Sequence, residues 1–230
     1  MQTSEFDKFA DEYLAAHEQN LGVTGEGPEY FARYKIDALA RLYRRQGYPS
    51  PRSILDFGCG IGASIPHLAA AFPDASIVGL DLSERSLAIA NSRFPGLADY
   101  RLHQAGDMSG LGRFDLIFSS CVFHHIEAGE HVPILRGLKT CLTDHGHLAI
   151  FEHNPVNPVT RYIVATCPFD ENAVLIPAAT LADRQRQAGL RRVQTAYIGF
   201  FPAALRALRP LEPWLSAAPI GAQYYTFAQA

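Results

Sequence analysis

The sequence has few cysteines and no pairing of them that chemistry would use. Cys59, Cys121, Cys141 and Cys167 stand far apart, with no Cys-x-x-Cys. That spacing argues against a disulfide framework or a zinc site and fits reduced thiols in a cytoplasmic protein. No apolar run approaches the roughly 20 residues that span a bilayer. Met1 to Asp7 lacks the basic and then apolar regions of a secretion signal. Positive charge is not in excess either. A net charge of −3 removes the electrostatic case for a nucleic-acid partner. The patterns G-x-x-x-x-G-K-[ST], H-E-x-x-H and G-x-S-x-G are all missing. Their absence excludes a P-loop phosphate site, a zincin-type metal site and a hydrolase nucleophile elbow, and no metal is expected despite nine histidines.

What is present is a globular composition, 48% hydrophobic and 19% charged over 230 residues. That is enough chain for one domain with a small appended cap. Its organising stretch is Ser53-Ile54-Leu55-Asp56-Phe57-Gly58-Cys59-Gly60-Ile61-Gly62. A short apolar run ends in an acid and then in three glycines at alternate positions, followed by a helical segment, Ala63 to Phe72. This predicts a buried parallel strand, a tight turn and a helix, the opening unit of a nucleotide-binding α/β sheet. The spacing is G-x-G-x-G with Asp56 two residues ahead, and not the dinucleotide fingerprint G-x-G-x-x-G. An acid at the strand tip repels a pyrophosphate and welcomes an ammonium or sulfonium group.

Ahead of this stretch, Phe6, Phe9, Ala10, Tyr13 and Leu14 fall at helical spacing, with His17 on the same face. A second helix starts at Pro28, carries Phe31, Tyr34, Ala38 and Leu42, and ends near Gly47. Residues 1–50 therefore read as a helical cap before a sheet domain at 51–230. After the first βα unit, Ser76 to Asp81 is another apolar run ending in an acid, with Leu82 beside it. Ser83 then caps a helix that runs to about Phe94. An acid at the second strand's end accepts hydrogen bonds from ribose hydroxyls in Rossmann-like folds. Further strands are expected at Tyr100–Gln104, Phe114–Ser120, Leu148–Glu152, Arg191–Phe200 and Gln223–Phe227. Helices are expected at Pro133–Leu142 and Ala179–Ala188, and Thr143 to His147 reads as a turn with Gly146 at positive φ. Residues 153–178 and 202–220 read as two insertions at the ligand end. In the second, Pro202 to Leu215 holds three prolines and two arginines among apolar residues, and suits a lid, a homodimer contact or a membrane-surface patch.

Asp56 with Gly58, Gly60 and Gly62 resembles motif I of the class I S-adenosylmethionine (SAM)-dependent methyltransferases. Phe114-Asp115-Leu116 leading to Val122-Phe123-His124-His125-Ile126 resembles the family's fourth motif. The likeness covers residues 52–152 well and the remainder loosely. It implies a Rossmann-like, seven-stranded, mostly parallel sheet with an antiparallel last strand, helices on both faces, and SAM as cofactor. It also implies an acid against the adenine amino group with an apolar neighbour on the ring, a pattern that Asp107 and Met108 match. A main-chain contact to the methionine end of SAM falls at Ser119, where the family often has an acid or asparagine at the strand end. The implied activity is methyl transfer to a small-molecule acceptor. The other readings are an NAD-dependent oxidoreductase, which the acid-first loop opposes, and a SAM-binding regulatory subunit without turnover. Candidates for proton removal are His153 and Glu152 at a strand tip, together with His124 and His17. His124 also has a structural reading, as the start of a helix or loop beside the cofactor.

Overall fold

The structure, a computed structural model, describes residues 25–103, 108, 110–167 and 172–230. The expected first helix, with Tyr13 and His17, lies outside them, as does Asp107. Helix α1, Pro28–Gln46, follows the extended Gly27, has Pro28 in its first turn, and ends on left-handed Gly47. Strand β1 is Ser53–Phe57, α2 Ile65–Ala71, β2 Ser76–Asp81 and α3 Glu84–Arg93. The Ser83 side chain caps α3 by accepting from Ser86 N. Then come β3 Asp99–Leu102, β4 Phe114–Ser120, a 3₁₀ turn Phe123–His125, α4 His131–Thr140, β5 Leu142–His153 and α5 Pro158–Thr166. The chain continues through α6 Ala178–Gln187, β6 Arg191–Ile198, a 3₁₀ segment Ala203–Leu211, α7 Glu212–Leu215 and β7 Gln223–Gln229.

The seven strands form one sheet in the order β3-β2-β1-β4-β5-β7-β6, parallel except for β7, which runs antiparallel to both neighbours. Strand order reverses between β1 and β4, and open α/β sheets bind ligands beyond the strand ends at such a reversal. Leu55, Phe57, Ile117, Leu148 and Ile150 pack on one face against Leu135 and Leu138 of α4 and Leu181 of α6. Ile54, Leu116, Phe118, Ala149 and Phe151 pack on the other against α1 and α2.

Ile36, Leu39 and Leu42 of α1 are fully or almost fully buried, each adding about 1.5–3 kcal/mol of apolar burial. The second half of the expected 1–50 cap is therefore part of the sheet's own core. The segment after β6 docks on α1 and its leading residues, through Glu212 to the Tyr34 hydroxyl and Arg209 to Glu26 at 2.7 Å. Among the described residues no helix is long and apolar enough to cross a membrane.

The expected turn at Thr143–His147 is instead the irregular start of β5. Pairing jumps from Phe114–Leu142 to Leu116–His147, so the extra residues bulge out of an otherwise continuous ladder. Gly146 does not adopt positive φ. It is glycine for space, because a Cβ there would sit 2.8 Å from the Phe114 carbonyl oxygen.

Candidate active site

Strand β1 delivers Asp56 to the α1 side of the sheet, where it is 2% exposed and its Oδ2 has no hydrogen-bond partner. Burial, reinforced by the charge of Asp81 and offset in part by Lys35, pushes its carboxyl up to about 8. The loop that follows is strapped to β2. Gly58 N and Cys59 N donate to the Leu80 carbonyl at 2.8 and 3.0 Å. Gly60 N donates to Asp81 Oδ2 at 2.8 Å, and Ser83 N to Oδ1 at 2.9 Å. Two of the glycines have different reasons to be there. A Cβ on Gly58 would lie 2.4 Å from Val122 Cγ2, whereas one on Gly60 would meet nothing within 4 Å. Gly60, at φ +52, thus borders open space beside a loop whose amide the Asp81 carboxylate holds.

Beyond β4 the two faces of the sheet carry different chemistry. Ser119 is fully buried with its Oγ unpartnered. Glu152, fully buried near the end of β5, accepts from Val122 N at 3.1 Å and Phe123 N at 2.8 Å on Oε1. Its Oε2 lies 2.6 Å from His124 Nδ1. Burial alone would raise its pKa, but His124, His153 and the Phe123 amide outweigh that and hold it below the ordinary carboxylate value. Such a carboxylate only accepts, so His124 donates from Nδ1. Both oxygens are engaged, and the turn after β4 is tied to β5 through them.

His153, the next residue, points to the opposite face because strand side chains alternate. There Lys35 of α1 donates to Ser120 Oγ at 2.7 Å and Cys121 Sγ at 3.4 Å. Gln223 Nε2 lies 3.7 Å from Cys121 Sγ and 3.5 Å from His153 Nδ1. Cys121 is one of two non-glycine residues at positive φ among those described. Burial would raise its thiol, yet the Lys35 charge and His153 bring it down to about 6. The His124 ring centroid is 5.2 Å from that of His153 and 4.2 Å from that of His125.

The structure thus gathers Asp56, Gly58, Gly60, Gly62, Asp81, Ser119, His124, Glu152 and His153 at one edge of the sheet. Leu82 is half exposed beside Asp81. Met108 is not brought there. It lies against Gly137 of α4, and its carbonyl accepts from Cys141 Sγ, just before β5 begins at the opposite edge. There an unbranched apolar side chain fills the core gap that Gly137 leaves. Lys35, Ser120, Cys121 and Gln223 escaped the sequence reading. The available signal was Lys35 itself, a charge inside the apolar stripe of Phe31, Ala38 and Leu42.

A cleft of about 600 Å³, lined by Tyr43, Arg52, Arg113, Asp144 and His147 among others, lies at the strands' N-terminal edge, away from all this chemistry. Among the described residues no three His, Cys, Asp or Glu side chains form a metal-binding group.

Residues 55–148 match the family described as methyltransferase domain. This stretch is similar to a methyltransferase domain, and the whole fold resembles that of SAM-dependent methyltransferases. It is 38% identical over 126 residues to a trans-aconitate 2-methyltransferase of Acidovorax sp. (strain JS42), covering 54% of this chain and 48% of the relative. It is 34% identical over 125 residues to a malonyl-[acyl-carrier protein] O-methyltransferase of Legionella pneumophila, covering 52% of this chain and 38% of the relative. The chain therefore spans about half the length, or less, of these curated relatives. A SAM-dependent methyltransferase of Thermotoga maritima superposes with a TM-score of 0.66 over 97% of both chains at 17% identity.

The residues of this stretch fit SAM. Open space at Gly60 admits a ligand against the loop, and the partnerless Asp56 oxygen suits a cationic group. Asp81, at the end of β2, takes two amide donors of the loop on its carboxylate.

Proposed function

We propose that this chain moves a methyl group from SAM to a small-molecule acceptor bound where β4 and β5 end. The observation that supports it most is the pairing of open space at Gly60 with a buried carboxylate oxygen lacking a donor at Asp56. SAM supplies a methyl group made electrophilic by its sulfonium charge. The chain's own residues bind and align. Asp81 holds the loop amide and faces the ribose, and Ser119 offers its main chain to the methionine end. Glu152, with both oxygens taken, holds the turn from Cys121 to His124 in place. His153 and His124 stand at the acceptor edge, and Asp107 and His17, outside the described residues, complete the proposed adenine and acceptor contacts.

Carboxylic acids are the acceptor class this reading puts first, because the relatives are named for methylating trans-aconitate and malonyl-[acyl-carrier protein]. A carboxylate is ionised at neutral pH, so its methylation needs no proton removed. In that reaction His153 orients the acceptor and removes no proton. The test is calorimetry with SAM and with NAD, followed by methyl transfer from labelled SAM to a panel of small acids, amines and phenols. SAM binding with label in methyl esters supports the reading. NAD binding without SAM binding overturns it in favour of an oxidoreductase, and SAM binding with no transfer to any class favours a regulatory subunit.

A further inference from the structure

Lys35 is 7% exposed and donates to the Ser120 hydroxyl at 2.7 Å and to Cys121 Sγ at 3.4 Å. A buried ammonium is costly without an anion beside it. Among the described residues no Asp or Glu forms an ion pair with it. Asp56 acts on it from further off, and burial keeps that acid mostly protonated at neutral pH. Ser120 offers only a neutral hydroxyl. Of the two hydrogen-bond partners of Lys35, Cys121 is the one that can carry the balancing negative charge. The other groups around the sulfur favour the same charge. Gln223 Nε2 lies 3.7 Å from it, and His153 adds a hydrogen bond and positive charge. These influences outweigh the burial that would keep the thiol protonated. Cys121 directly follows β4, is held at φ 59 and is half-buried, whereas Cys59, Cys141 and Cys167 are buried. Its amide donates to the Phe151 carbonyl at 2.8 Å, which anchors the residue between the β4 and β5 tips.

We propose that Cys121 is an oxidation site, its sulfur held as a thiolate against Lys35 and converted by small hydroperoxides to a sulfenic acid. The thiolate attacks one peroxide oxygen, and an S–O bond forms as the O–O bond breaks. Sulfur gives up two electrons to the peroxide, and the departing hydroxide takes a proton from solvent. Hydrogen peroxide is little larger than water, so the step needs no ligand cavity. The sulfenic acid then condenses with a small thiol to a mixed disulfide and water, which makes the change reversible. Neither SAM nor an acceptor takes part, so the site does not rest on the methyl-transfer reading.

The test treats the full chain with hydrogen peroxide, traps sulfenic acid with dimedone and maps the labelled peptides by mass spectrometry. Cys121 should carry the label, and buried Cys59, Cys141 and Cys167 should not. Lys35→Met should slow the labelling of Cys121 by about tenfold, because the loss of thiolate outweighs the gain in intrinsic nucleophilicity. Lys35→Arg keeps the charge and should keep most of the rate. If Lys35→Met does not fold, the wild type decides at pH 6, where an ordinary thiol is almost wholly protonated. Folded Cys121 should then react about tenfold faster than the same cysteine in a peptide of residues 116–126. Equal rates in wild type and Lys35→Met, or a folded rate no faster than the peptide's, overturn the proposal. Label spread evenly over all four cysteines overturns it as well.

Discussion

His124 Nδ1 lies 2.6 Å from Glu152 Oε2, and both side chains are 1% exposed. The same carboxylate takes the amides of Val122 and Phe123, so the turn that leaves β4 hangs on β5 through one acid. Glu152→Ala should destabilise the protein by about 3–5 kcal/mol, as expected when one partner of a buried pair is removed. For a chain of this size that is a fall in Tm of roughly 6–20 °C. Because the native pKa of Glu152 is lowered, its contribution is complete above the ordinary value of 4.5. It is lost as pH falls through the native value. Thermal melts should show a smaller acid-side loss of stability in Glu152→Gln than in wild type.

Asp56 works in the opposite direction. Its native value, up to about 8, lies above the ordinary 3.8. Between those values the folded state binds more protons, so stability falls as pH rises from about 4 through 8. Asp56→Asn should therefore gain in Tm relative to wild type on going from pH 5 to pH 8. The same substitution should weaken SAM by at least about tenfold through loss of a charged hydrogen bond. Calorimetry of the wild type at pH 7, in buffers of different ionisation enthalpy, should find roughly one proton released as SAM binds.

The two glycines beside the loop separate folding from binding. Gly60→Ala places a Cβ in open space at φ +52 and should cost about 1–2 kcal/mol of stability. It should cost SAM affinity far more, measured by calorimetry on the folded variant. Gly58→Ala drives a Cβ into Val122 and should lower Tm further. Adding Val122→Ala should recover part of that loss, so a double-mutant cycle should give a coupling of about 0.5–3 kcal/mol.

His153 sits between Gln223 and His124 at the proposed acceptor edge. With a carboxylate acceptor, His153→Ala should raise KM and leave kcat nearly unchanged. A fall in kcat of about 10²-fold would instead identify it as a general base.

Asp81→Asn should weaken SAM by about 1.5–3 kcal/mol. It should also speed amide exchange at Gly60, whose N–H the carboxylate now holds at 2.8 Å. Unchanged exchange at Gly60 would mean that Asp81 does not set the loop.

The alternating glycines after an acid, and a second acid closing the next apolar run, were enough in one dimension to place the first two strands and the turns that follow them. Both are local: strand, turn and helix start lie between Ser53 and Ile65, where periodicity and turn chemistry act directly. The seven strands were legible for the same reason, save where a bulge in β5 took the place of a turn, because cross-strand pairing to β4 holds those residues extended. Tertiary structure alone decided what meets at the tips of β4 and β5. Glu152 and His153 are neighbours in sequence, yet strand alternation sends one into a buried pair with His124 and the other toward Lys35. Lys35 comes from 118 positions earlier, on a helix whose packing against the sheet brings its ammonium to Ser120 and Cys121. Met108 went the other way, into the core beside Gly137. Such contacts depend on which faces meet, and face-to-face packing across the sheet leaves no local pattern in the chain.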